Sequence, residues 1–185
     1  INTSLLIDDR PSAFRYPRGT GIFNENDLDS RVLEIGKGYI VTQGNDIAIL
    51  NLGTRMESCE EAIKLLKDHN IFPTLADARF AKPIDKDLIN QLLDNHKYVI
   101  TIEEGSSGGF GATVLNYIHN ERVKPTSAKI SNIFFPDRFI DHQSPEDQYL
   151  EMGMDAGSIA QKILKFYKTN VLDFQLFNKT KKNWF

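Results

Sequence analysis

The sequence predicts a three-layer α/β/α domain built on a parallel sheet. Two observations carry this. Ile47-Ala48-Ile49-Leu50-Asn51-Leu52 and Tyr98-Val99-Ile100-Thr101-Ile102 are near-continuous apolar runs, the pattern of strands buried on both faces. Segments with apolar residues at helical spacing separate and follow these runs, so strand and helix alternate. That order implies parallel strands joined by right-handed crossovers.

The elements follow in order. Residues 1–11 are polar and mixed, and Phe14-Arg15-Tyr16 reads as a strand that stops at Pro17. Residues 19–38 carry Gly, Asn and Asp, end in Ile35-Gly36-Lys37-Gly38, and read as a linker. Tyr39–Thr42 is strand-like and 43–46 turns into the first apolar run. Thr54 is placed to cap a helix over 55–68, with Met56, Cys59, Ile63 and Leu66 on one face. Phe72–Asp77 is the next strand. Pro83-Ile84-Asp85 opens a helix through His96 with Leu88, Ile89, Leu92 and Leu93 as its apolar stripe. After the second run comes the glycine loop 105–111, then a helix with Val114, Leu115 and Ile118. Ala128 to Phe135 is the last strand. Helices over 145–152 and 156–168 follow, the second capped by Asp155 and burying Ile159, Ile163, Phe166 and Tyr167. Residues 39–168 therefore form the domain, residues 1–18 read as the last strand of a different one, and 169–185 is a tail that docks as a short helix or is disordered.

Composition narrows the function. At 185 residues the chain is long enough for one sizeable core. A net charge of −3 argues against non-specific nucleic-acid binding. A single cysteine, Cys59, excludes an internal disulfide and suits a reducing compartment; its place on an apolar helix face reads as core rather than nucleophile. No apolar run approaches the ~20 residues of a membrane span. The missing initiator Met suggests a fragment, and no signal-peptide pattern follows Ile1.

Ligands of open α/β sheets gather at the carboxyl ends of parallel strands. Those ends are Gly53-Thr54-Arg55, Asp77-Ala78-Arg79, Glu103-Glu104-Gly105 and Pro136-Asp137-Arg138. Three arginines and four carboxylates are thus expected on one rim. They make either an anion or regulatory site or, the preferred reading, salt bridges that fix loops or a subunit interface. Adjacent Glu103 and Glu104 point to opposite faces of a strand and need not share a site. The glycine loop has neither the P-loop ending nor the dinucleotide spacing, so close packing is the better reading than phosphate binding. His69, His96, His119 and His142 lack ligand spacing, so no metal site is expected; His142 alone, after the Asp137–Asp141 loop, is a functional candidate. No Ser/His/Asp order and no nucleophile elbow stands out.

The N-terminal stretch Ser12-Ala13-Phe14-Arg15-Tyr16-Pro17-Arg18-Gly19 is dense in chemistry. Two guanidinium forks flank a phenol and a rigid turn, a composition that suits an anion; on the residues alone a solvated basic turn is the preferred reading. As a strand it would place Phe14 and Tyr16 on one face, and Arg18 would project from its carboxyl end.

Taken together, several strings resemble one family. They are Pro11 to Gly19, Ile35-Gly36-Lys37-Gly38, Ala48 to Thr54, Asp77-Ala78-Arg79-Phe80-Ala81-Lys82-Pro83-Ile84-Asp85, Glu103-Glu104 with its glycine loop, and Pro136-Asp137-Arg138-Phe139-Ile140. In order over about residues 11–165 they resemble the 1-deoxy-D-xylulose-5-phosphate synthases. Transketolases and the β chains of 2-oxoacid dehydrogenases share the domain; the Tyr-Pro-Arg-Gly segment and the Pro-Asp-Arg-Phe loop favour the synthase. A stand-alone regulatory or interaction domain is the alternative from another class.

The resemblance implies a homodimeric thiamin-diphosphate and Mg²⁺ enzyme that condenses pyruvate with D-glyceraldehyde 3-phosphate, releasing CO₂. Its product, 1-deoxy-D-xylulose 5-phosphate, feeds isoprenoid, thiamin and pyridoxal synthesis. It implies a transketolase C-terminal-like sheet of five strands with the first antiparallel. It makes residues 1–18 the end of the pyrimidine-binding domain. It matches Arg18 to the arginine that contacts the triose phosphate, with Tyr16 beside it, and leaves Arg79, Glu103, Glu104, Asp137, Arg138 and His142 as rim or interface residues. It places no catalytic residue here: the Gly-Asp-Gly segment that holds Mg²⁺ and diphosphate is absent, and the activating glutamate would lie upstream. The chain alone is therefore expected to be inactive and to bind no cofactor. The compartment is expected to be the bacterial cytoplasm, with a plastid possible and no membrane or nucleic-acid partner. The tail 169–185 lies outside the family pattern.

Overall fold

A computed structural model describes residues 1–16 and 31–181, with the backbone only over 172–181. After a short helix α1 (Asn2–Leu5), the elements run β1 (Tyr39–Thr42), β2 (Asn45–Leu52), α2 (Met56–Lys67), β3 (Pro73–Asp77), α3 (Lys86–Asn95), β4 (Tyr98–Glu103), α4 (Phe110–Asn120), β5 (Lys129–Ile133), α5 (Pro145–Met152) and α6 (Ala156–Lys181). The five strands lie in the order β1-β3-β2-β4-β5. β1 is antiparallel to β3, and every other pairing is parallel.

Alternation along the central strand builds two cores. Ile49 sits between Leu75 and Ile100 in register, and with Ile47 it faces α2 and α6. Ala48 and Leu50 face the other way, onto α3 and α4 with Leu88, Leu92 and Val114. Both faces of the sheet are therefore covered, which is why the strand runs read as continuously apolar.

α3 starts where its sequence says it should. Asp85 is its N-cap, and its carboxylate accepts from Leu88 N at 3.0 Å and from Gly38 N at 2.9 Å. Lys37 reaches Asp87 at 2.6 Å, and Gly36 holds a positive φ of 74° with Pro83 packed where a Cβ would stand. The end of the expected linker, 36–38, is therefore docked on the domain. Asp85→Ala should cost about 1–2 kcal/mol, since it removes a buried cap and the anchor of Gly38 together; thermal denaturation reads this directly.

Two local expectations are corrected. Residues 11–16 form no strand, because a strand needs a neighbour for its N–H and C=O groups and none of the five strands described pairs with them. On α4, Phe110, Val114 and Tyr117 are buried, and Leu115 faces out, 41% exposed. The final helix does not stop at 168. It continues as one 26-residue element to Lys181, with Asp155 capping it through Ser158 N at 3.0 Å. Tyr98 at the start of β4 stacks edge-on against Phe166 and Tyr167 of this helix at 5.9 and 5.3 Å.

Candidate functional site at the carboxyl edge of the sheet

The chain leaves β2 toward β3 on one side and leaves β4 toward β5 on the other, so the crevice between the carboxyl ends of β2 and β4 is the topological switch point. In this domain its own side chains fill it. Thr54 Oγ1 donates to Glu104 Oε1, and Arg55 Nε donates to the same oxygen at 2.9 Å. The Arg55 guanidinium lies 3.3 Å from the centroid of the Tyr149 ring, on α5. Burial first, and the neighbouring Glu104 carboxylate second, hold the Tyr149 phenol above its ordinary pKa. Thr54 does not cap α2 as its sequence suggests. Arg55 occupies the N-cap and its side chain makes no capping bond, while the threonine hydroxyl is drawn to Glu104.

Glu103 points to the opposite face and is buried. Its two oxygens accept from Phe110 N at 2.8 Å and from Gly111 N at 2.7 Å. The first N–H groups of α4, the natural anion site of a helix, are thus satisfied by the chain's own carboxylate. A Cβ on Gly105 or Gly109 would collide with Glu103 Oε2, so the glycine loop is glycine-rich to let that carboxylate in. The loop thus packs around Glu103 of its own chain.

The rest of the rim resolves into separate pairs rather than one site. Asp77 Oδ1 accepts from Arg79 N at 2.9 Å, and the Arg79 guanidinium stacks on Tyr39 at 4.0 Å. Arg138 pairs with Glu151 of α5 at 2.5 Å, and Asp137 and His142 are exposed on the same loop. Tyr16 is 80% exposed with its ring 6.1 Å from Phe14, and Arg18 lies outside the described residues. Sequence reasoning missed Tyr149 and Glu151. Both act through contacts that no local spacing announces.

Burial raises the Asp77 pKa above its ordinary value. A carboxyl with a raised folded pKa favours the protonated form, so stability falls as pH climbs from the unfolded value toward the folded one. Asp77→Asn should therefore leave the protein as stable or more so at pH 7, and should remove that loss in a melting series from pH 3 to 7. A clear loss of stability at pH 7 would contradict this account.

Cys59 is fully buried, and burial pushes its thiol up to about 12. At pH 8 only about one thiol in ten thousand is ionised. Iodoacetamide should label it only after denaturation. Among the described residues no group of three or more His, Cys, Asp or Glu is placed to hold a metal ion, and no helix is long and apolar enough to cross a membrane.

The five strands and the antiparallel first strand are those the resemblance implied. Residues 36–159 match the family described as transketolase, C-terminal domain. The chain belongs to this family. A probable 1-deoxy-D-xylulose-5-phosphate synthase 2, chloroplastic, from Oryza sativa subsp. japonica is 43% identical over 166 residues, which is 89% of this chain and 23% of that protein. The chloroplastic 1-deoxy-D-xylulose-5-phosphate synthase 1 of Cannabis sativa is 44% identical over 165 residues, 88% of this chain and 23% of its own length. This transketolase C-terminal domain thus spans under a quarter of the curated relatives it matches. A solved split-gene transketolase, described as an inactive beta4 tetramer, superposes with a TM-score of 0.65 at 25% identity, covering 79% of this chain and 46% of that one. A transketolase of Pichia stipitis shares the fold at a TM-score of 0.53 and 17% identity, over 72% of this chain and 19% of that one.

Proposed function

We propose that the chain is the C-terminal portion of a 1-deoxy-D-xylulose-5-phosphate synthase, and that its part in the reaction is structural. The observation that carries this is the 43% identity to the rice protein across 89% of the chain. The whole polypeptide would join pyruvate to D-glyceraldehyde 3-phosphate with release of CO₂, supplying a precursor for isoprenoid synthesis. Thiamin diphosphate and Mg²⁺ would be held by parts of the polypeptide outside this chain. The carboxylates that fill the α4 N-terminus and the switch point support that division of labour. The plant relatives are chloroplastic, which favours a plastid over a bacterial cytoplasm. A homodimer of the whole polypeptide is part of the proposal.

Within this reading residues 1–18 belong to the preceding pyrimidine-binding domain. Arg18 grips the phosphate of the triose substrate. A guanidinium fork matches a phosphate dianion by two parallel, charge-assisted bonds. Arg18→Ala in the whole enzyme should raise KM for the triose phosphate and leave that for pyruvate little changed. Loss of a bond to a charged group corresponds to about 1.5–3 kcal/mol. An unchanged triose-phosphate KM would refute the role of Arg18.

A further inference from the structure

β5 breaks pattern on the face that meets α6. Ser131 lies in register with Ile100, and Ile133 with Ile102, so these two side chains of β5 point toward α6 with the core of β4. A strand covered on that face calls for an apolar residue at each such position. Serine is smaller, and a cavity of about 180 Å³ stays open beside it, between β5 and the Lys162–Phe166 turn of α6. That is the volume of about six liquid waters. The gap forfeits packing that an isoleucine at 131 would supply.

Polar groups converge on this cavity. The Ser131 hydroxyl makes no hydrogen bond among the described residues, and it is not sealed from the gap. Lys162 lines the cavity from α6. Its Nζ donates to Gly153 O at 2.6 Å and to Met152 O at 3.4 Å, which leaves one N–H of the ammonium group over. Among the described residues Asp155 is the carboxylate close enough to act on it, and that carboxylate is taken by Ser158 N as the α6 cap. Burial therefore holds the Lys162 amine below its ordinary pKa, a shift that an anion beside it would reverse. β5 is also the last strand of the sheet. Lys129 N donates to Lys97 O and Phe135 N to Gly105 O, so alternate residues bond β4. The N–H groups of Asn132 and Phe134 point the other way, where no described strand lies beyond. The remaining walls are apolar: Ile133, Phe134 and Phe166, the last held edge-on by Tyr98 at 5.9 Å.

We propose that this cavity is a binding site for a short-chain carboxylate, its charged end held by Lys162 Nζ, the Ser131 hydroxyl and the edge amides of Asn132 and Phe134, its tail against Ile133 and Phe166. An ammonium group, a hydroxyl and amide N–H groups are all donors, so the site is complementary to an acceptor-only group. The apolar walls decide between anions. Inorganic phosphate would turn oxygens toward Ile133 and Phe166, which offer them no hydrogen bond, whereas a carboxylate carries its polar atoms at one end only. Size narrows the class further. The cavity is smaller than the ~300 Å³ at which pockets for drug-sized ligands begin, so it suits a short acid rather than a nucleotide. The proposal stands apart from the synthase assignment and needs none of its substrates.

The test is a titration of the isotope-labelled 185-residue chain with sodium butyrate at constant ionic strength, followed by amide NMR shifts. Butanamide is the neutral twin of the probe, and sodium phosphate is the second anion. Butyrate should give saturable shifts at Asn132 and Phe134. Butanamide should bind about tenfold more weakly or worse, and so should butyrate to Lys162→Met, which keeps the stem and removes the charge. Ser131→Val fills the cavity and removes the hydroxyl, and should abolish the response. It decides the matter if Lys162→Met, which also frees the end of α5, does not fold. Butanamide bound as tightly as butyrate, a saturable response to phosphate with none to butyrate, or wild-type binding by Ser131→Val or folded Lys162→Met would each overturn the proposal. Shifts that never saturate and fall only at exposed lysines would overturn it too, since butyrate would then be a counterion only. No arm of the test reads synthase turnover, so failure of this site and failure of the synthase assignment are distinguishable.

Discussion

Glu103→Ala is expected to destabilise the domain by about 3–5 kcal/mol, the sum of two lost hydrogen bonds to a buried charge. The carboxylate does two jobs at once. It satisfies the Phe110 and Gly111 amides at the start of α4 and sets its negative charge at the positive end of that helix. Alanine would leave both amides buried without partners and would open a gap beneath the glycine loop. The loop cannot close that gap by collapsing, because Gly111 already lies against Asn132 and Thr101, where a Cβ would stand 2.7 Å from each. Glu103→Gln keeps one acceptor oxygen and should lose roughly half as much. Chemical denaturation of the three proteins reads the series. A Glu103→Ala midpoint equal to wild type would mean that α4 is held by packing alone.

Glu104→Ala should cost about 2–3 kcal/mol, less than loss of a fully buried ion pair and more than a surface one. Arg55 and Glu104 side chains are 12% and 23% exposed, so the unpaired guanidinium would be largely out of water. Thr54 would lose its acceptor in the same change. The damage should spread along one route only. Tyr149 would no longer sit over a fixed cation, a contact worth about 1 kcal/mol, and α5 would loosen with the loop it carries. A cycle of Glu104→Ala with Tyr149→Leu should therefore show coupling. Glu104→Ala with Asp85→Ala, which lies on the far face, should be additive. Additivity in both cycles would contradict the linked network.

The fold was largely legible because its signals were local and repeated. Ile47–Leu52 and Tyr98–Ile102 could only be strands covered on both faces, and Asp85 and Asp155 announced their helices by cap chemistry. Thr54 misled for a physical reason. A threonine before a helix is a cap unless a carboxylate from a distant strand competes for its hydroxyl, and Glu104 stands fifty residues away in the chain. Phe14-Arg15-Tyr16 differs. Strand propensity describes a residue's fit to a sheet, and among the described residues none of the five strands pairs with that segment. The rim residues could be named from the sequence, yet their pairing could not be read. Arg55 meets Glu104 and Tyr149, while Arg138 meets Glu151, and these choices depend on how α5 returns over the sheet edge.

The central claim is that this chain is the non-catalytic C-terminal portion of a 1-deoxy-D-xylulose-5-phosphate synthase. The direct measurement is release of labelled CO₂ from carboxyl-labelled pyruvate in the presence of D-glyceraldehyde 3-phosphate, with the sugar phosphate product identified alongside. It compares the whole polypeptide that carries this chain with the 185-residue chain alone. The account predicts CO₂ and 1-deoxy-D-xylulose 5-phosphate in equal amounts from the whole polypeptide and neither from the chain alone. Turnover by the chain alone, or a whole polypeptide that yields no 1-deoxy-D-xylulose 5-phosphate, would contradict it.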